Sequence, residues 1–206
     1  MQSPTIDEGK VELNYHGAAE THEHAEEHHD YRIFGVYVFL IAEGMIFFGM
    51  FAAYLIYRAM APVWPPEDVE RELLVPSINT IILISSSFVF NRGNTAIKKN
   101  DLKGLQFWGG LTALMGTIFL AGQVYEYSGL AFGLTSNLYA SSFYVMTAFH
   151  GLHVTFGVLL ILAMLWRSRK EGHYSSASHF GPEASEIYWH FVDVIWVILF
   201  LLLYVL

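Results

Sequence analysis

Histidine aside, the longest stretch free of acidic and basic residues runs from Tyr127 to Trp166, 40 residues in a row. A bilayer core about 30 Å thick is crossed by roughly 20 apolar residues rising about 1.5 Å each. This run is therefore one span with something added. Reading SGLAFGLTSN (128–137) as a loop or interfacial piece leaves a helix over 138–167. Ile33–Tyr57 is interrupted by Glu43 alone, and three further segments reach spanning length. The expected spans are 31–58, 76–97, 104–126, 138–167 and 186–206. Inside lipid every backbone polar group must find its partner within the protein, which leaves helices or closed barrels; segments this long are helices. The fold class expected is an all-α polytopic membrane helix bundle of five transmembrane helices over 31–206, led by a polar tail over 1–30. A chain 54% hydrophobic and 16% aromatic suits that class better than a soluble domain.

Composition excludes several chemistries. The chain has no cysteine, so disulfides, thiolate metal sites and iron–sulfur ligation are out. Its basic residues are few and unclustered, which is no nucleic-acid footprint. Residues 1–30 are polar and acidic and carry five of the ten histidines. They lack the basic start and short apolar run of a secretory signal. HEHAEEHHD (22–30) reads as a metal tract or as a solvated lead-in to the first helix.

Orientation follows from lysine and arginine. Five spans put the termini on opposite sides. The tail and the loops after spans two and four hold Lys10, Arg32, Arg92, Lys98, Lys99, Lys103, Arg167, Arg169 and Lys170, against Arg58 and Arg71 on the other side. The expectation is a cytoplasmic N-terminus and an outer C-terminus. Tyr54, Tyr57 and Trp64 on one side, and Trp166, Tyr188 and Trp189 on the other, read as interfacial aromatic belts. There is no inverted repeat and no pair of Gly/Pro-broken helices of the kind that marks many transporters.

Ionisable side chains within a span are costly and face the bundle interior. Glu43 lies about 15 Å into the first span. His150 and His153 sit at similar depth in the fourth, three residues apart and so on one helical face. Glu43 reads either as a proton-binding or gating carboxylate, or as a hydrogen-bonded acid that fixes helix packing, and it meets the histidine face if spans one and four are neighbours. Two rings on one side of one helix cannot supply both axial ligands of one haem. A metal held by both histidines and Glu43 is stereochemically possible; the plainer reading is hydrogen-bonded interhelical histidines. His190 and Asp193 repeat the spacing in the fifth span, as a local hydrogen-bonded pair, as a partner for a basic residue of the loop 167–186, or as a point of proton entry. Arg167 closes the fourth span where lipid phosphates lie.

Several motifs together point to a family. FHGLHV (149–154), followed by Arg167, resembles the matching helix of subunit III of haem–copper oxidases. So does SHFGPEASEIYWHFVDVIWVILF (178–200), with its YWHFVDVIW core. IAEGMIFFGMFAAY (41–54), SINTIILISSS (77–87) and FLAGQVYEYSG (119–129) are similar to three further shared helices. The resemblance runs from Tyr31 to the C-terminus, in order and spacing, and matches a five-helix bacterial form. Longer members have seven spans, and this chain lacks the first two.

That resemblance implies an accessory subunit of a proton-pumping terminal oxidase in aerobic respiratory electron transport, cytochrome c oxidase of the aa3 type. A quinol oxidase is the alternative, and an accessory protein of nitric oxide reductase a more distant one. It implies no catalytic residue, no cofactor and no metal in this chain, with haem a and copper in the partner subunits. The partners implied are the catalytic subunit I, subunit II and membrane lipids. The role implied is to stabilise the catalytic subunit, support proton uptake and hold phospholipid. By the same resemblance Glu43 matches a midplane glutamate, His150 and His153 a histidine pair, and Arg167 a lipid-phosphate arginine. The location implied is a bacterial energy-transducing membrane, the cell inner membrane or a thylakoid. Readings from other classes are a membrane cytochrome b and a proton-coupled transporter built on Glu43 and the histidines.

Overall fold

The structure is a computed structural model that describes residues 31–66, 69, 73–170 and 172–206. The His/Glu-rich tail over 1–30, with both its readings, lies outside the described residues, as does Arg71. Five helices are long and apolar enough to cross a membrane: α1 (Tyr31–Met60), α2 (Leu74–Lys98), α3 (Leu102–Gly129), α4 (Leu138–Ser168) and α5 (Phe180–Phe200). The last continues as a wider π turn over Leu201–Val205, closed by Leu206 N donating to the Leu201 carbonyl at 2.9 Å. No strand occurs among the described residues.

Local chemistry sets the helix ends. Asp101 caps α3 by accepting from Gly104 N at 2.9 Å, and Asn137 caps α4 by accepting from Ala140 N at 2.7 Å. Asn100 takes a left-handed φ of 60°, which asparagine tolerates, and so turns α2 tightly into α3. The two helices then run close together: a methyl on Gly93 would meet Trp108 Cβ at 3.2 Å. α5 begins at Phe180, with Pro182 in its first turn, well ahead of the apolar run that hydropathy marks from 186.

α2, α3, α4 and α5 pack as a four-helix bundle, with α5 the most enclosed. Its hub is Trp189, fully buried. The indole Nε1 donates to Ser86 Oγ on α2 at 2.9 Å. Its rings lie against Gly116 of α3 and Gly157 of α4, where only hydrogen atoms fit. One side chain thus touches three neighbouring helices. Tyr188 and Trp189 therefore belong to the core, not to an interfacial belt, and so does Tyr54. The place of Tyr188 and Trp189 near a segment end misleads because α5 starts earlier than its apolar run.

α1 is the least enclosed helix and reaches the bundle through large side chains. Tyr54 Oη donates to the Leu202 carbonyl at 3.0 Å and accepts from Trp64 Nε1 at 3.0 Å. Phe47 is buried among Phe149, His153 and Phe191.

Candidate functional site

The ionisable residues singled out by the sequence fall into three places. The first lies between α1 and α4. His153 Nε2 is 3.2 Å from Glu43 Oε2, and His153 Nδ1 is 2.8 Å from the Phe149 carbonyl. A carbonyl only accepts, so Nδ1 carries a proton. The contact at Nε2 then has two forms: a neutral ring accepting from a carboxylic acid, or a protonated ring donating to a carboxylate. Either way one proton serves the Glu43–His153 pair and its net charge is zero. Tyr188 Oη donates to the His153 carbonyl at 3.2 Å, which ties α5 to the same turn.

His150 goes elsewhere. It is fully buried, stacked on Trp196 at 5.0 Å between ring centroids and met edge-on by Phe119 at 5.9 Å. Neither ring nitrogen has a hydrogen-bond partner among the described residues. Glu43 thus meets one of the two histidines, and aromatic rings enclose the other. Among the described residues no group of three His, Cys, Asp or Glu side chains is arranged to hold a metal ion.

The second place is the seam between α2 and α5. Ser87 donates to Asp193 Oδ2, and its oxygen lies 3.0 Å from His190 Nδ1. A hydroxyl has one proton, so Nδ1 is the donor to Ser87. His190 and Asp193 are thus joined through Ser87 on the neighbouring helix. Asn91 and Asn94 both donate to Glu186, the former at 3.1 Å, and His190 Nε2 lies 3.8 Å from the same carboxylate. No lysine or arginine among the described residues pairs with Asp193. The residues form two matching stripes, 87, 91 and 94 on α2 and 186, 190 and 193 on α5, each at helical i, i+4, i+7 spacing. Glu186, Asn91 and Asn94 escape a search for charges within apolar runs. The recurring 186/190/193 spacing is the signal that would find Glu186.

The third place is the exposed end of α4. Arg167 Nε donates to His173 Nε2 at 3.0 Å in the following loop. Nearby, outside the spans, burial pushes the Tyr174 phenol above its ordinary value while the Arg167 charge pulls it down.

Comparison with known proteins adds the family. The model of the family described as "Cytochrome c oxidase subunit III" matches residues 12–206. A cytochrome c oxidase subunit 3 of Synechocystis is 64% identical over 188 residues, 91% of this chain and 80% of that protein. One of Thermostichus vulcanus is 57% identical over 199 residues, 97% of this chain and 98% of that protein. One of Aedes aegypti is 36% identical over 182 residues, 82% of this chain and 67% of that protein.

Proposed function

The chain belongs to the cytochrome c oxidase subunit III family, and from that premise we propose that it is the accessory subunit III of an aa3-type cytochrome c oxidase. The observation that carries this reading is a family match that runs through all five helices. The names of the relatives support cytochrome c over quinol as the donor. In this reading the chain carries no redox centre. Haem a and copper reside in subunits I and II, and subunit I is its direct neighbour.

What the chain contributes is a polar, packed scaffold. The Glu43–His153 pair holds α1 against α4 at mid-depth and keeps a shared proton there, in line with a part in sustained proton uptake. Arg167, a planar guanidinium at a span end, suits a lipid phosphate. The bias of basic residues supports a cytoplasmic N-terminus and an outer C-terminus. The relatives from Synechocystis and Thermostichus vulcanus support a bacterial energy-transducing membrane, the inner membrane or a thylakoid.

Gentle detergent extraction with an affinity handle on this chain tests the reading. The expected result is recovery with a haem-bearing partner that reduces O2, while the separated chain shows no Soret band. Recovery as a partner-free monomer, or a Soret band from the chain alone, overturns it.

A further inference from the structure

Near the turn that joins α2 to α3, Arg92 lies over the indole of Trp108, its Cζ 5.4 Å from the ring centroid. The indole is held from two sides. Its Cβ packs on Gly93 of α2, where a methyl would come within 3.2 Å, and Phe107 meets its ring edge-on at 5.0 Å. A ring face fixes a guanidinium without supplying an acceptor oxygen. Arg92 is exposed and makes no hydrogen bond and no ion pair among the described residues. Trp108 Nε1 makes no hydrogen bond among the described residues either, and it is not sealed from the surface. Asn91 and Asn94 turn to Glu186, while Arg92 projects about 100° round α2 from Asn91. Asp101 is the only acid between residues 91 and 103, and it caps α3 through Gly104 N. Two kinds of donor thus stand at one place on the surface with no acceptor to meet them.

Depth narrows the occupant. Arg92 directly follows the charge-free run 73–91 and lies about 28 Å from its start, at roughly 1.5 Å per residue. Trp108 lies about 26 Å from Tyr125, the far end of its own charge-free run. A hydrocarbon core about 30 Å thick puts both at its edge, level with glycerol and phosphate groups. Lys98, Lys99 and Lys103 lie further out, among headgroups and water. Towards the core, Ile81 and Phe88 share one stripe of α2 with Arg92, at i, i+7 and i+11. They are 65% and 72% exposed. An anionic head at the edge with a long apolar tail along this stripe matches both features. A soluble anion would leave the stripe uncovered, and a zwitterionic lipid would bring its ammonium among cations.

We propose that Arg92 and Trp108 form a binding site for the phosphate of an anionic phospholipid, with an acyl chain laid along Phe88 and Ile81. The site is separate from Arg167 at the end of α4. It requires the chain to lie in a membrane and does not depend on which subunits surround it.

Photolabelling of the assembled complex in its native membrane tests this. The probes are phosphatidylglycerol and phosphatidylcholine with the same diazirine-bearing acyl chain. The anionic probe is expected to label the 81–92 segment about fivefold more than the zwitterionic one, the factor that one cation near an anionic surface supplies. Excess unlabelled phosphatidylglycerol should compete, and Arg92→Gln should remove the preference. Arg92 is exposed, so Arg92→Gln should keep the helix content of the parent. Arg167→Ala should leave labelling of this segment unchanged. Equal labelling by the two probes, or a preference that survives Arg92→Gln, overturns the site and leaves only bulk lipid along α2. Displacement of the anionic probe by inorganic phosphate at the same ionic strength overturns it in favour of a soluble anion. Loss of the preference in Arg167→Ala would show one shared site and overturn the separate one.

Discussion

His153 Nε2 stands 3.2 Å from Glu43 Oε2 and joins α1 to α4 in the middle of the membrane span. Glu43→Gln keeps the shape and a hydrogen bond to His153 but removes the shared acid proton. In the assembled oxidase the first turnovers of O2 reduction should proceed at the parental rate, and activity should then decay sooner. Continuous O2 consumption from the first turnovers through inactivation reads both. Loss of the initial rate would place Glu43 in the chemistry itself and sink the scaffold reading.

Glu43→Leu asks a different question. It leaves His153 Nε2 facing an apolar side chain, and an unsatisfied buried polar atom costs about 1–3 kcal/mol. The detergent-solubilised chain should lose helix at lower temperature than the Gln variant. Equal melting of the two would mean that the contact contributes no stability.

Gly157 and Gly116 make the niche for Trp189. A methyl at Gly157 would sit 2.9 Å from Trp189 Cε3, and one at Gly116 would sit 2.9 Å from Val158 Cγ2 and collide with the indole as well. Overpacking of this kind costs about 1–3 kcal/mol. Gly49 of α1 has nothing within 4 Å of the same position. Gly157→Ala should therefore melt earlier than the parent, and Gly49→Ala should not. The same melting temperature for both alanine variants would refute the niche.

These contrasts show what hydropathy can and cannot see. Charge-free runs placed the helices because lipid penalises charge wherever it lies along the span. They missed the start of α5, where FGPEASE (180–186) is largely polar but helical. Its Glu186 is satisfied by Asn91 and Asn94 of α2, and a scale for transfer into lipid is blind to a polar neighbour. The shared face of His150 and His153 was readable from their spacing. Their separate fates were not, because three residues also rotate the side chain by about 60°, enough to aim one ring at Glu43 and the other at Trp196. Trp189 looked like an interfacial anchor for want of the two glycines that receive it, which only tertiary packing brings together.

Glu186 accepts from two asparagine amides of α2, so its removal leaves both without their acceptor. Glu186→Leu should destabilise the chain by about 1–3 kcal/mol for the buried Asn94 donor it leaves unpaired, and by less for the exposed Asn91. Glu186→Gln should cost less, since its carbonyl oxygen still accepts one bond. Thermal melts of the two variants against Asn94→Ala would show coupling below additivity if the seam acts as one network. Strict additivity would contradict that.

Arg167 donates through Nε to His173, an arrangement that anchors the guanidinium at the end of α4 while its remaining donors stay available to a phosphate. Arg167→Ala should lower the phospholipid phosphorus retained per haem in the purified oxidase. Arg167→Lys keeps the charge without the planar fork, and should recover part of the loss. His173→Ala removes the anchor but not the charge, so its loss should be smaller than that of Arg167→Ala. Lipid content unchanged in Arg167→Ala would end the lipid role of this residue. A loss as large in His173→Ala would mean that the contact orders the loop and that the loop, not the guanidinium, holds the lipid.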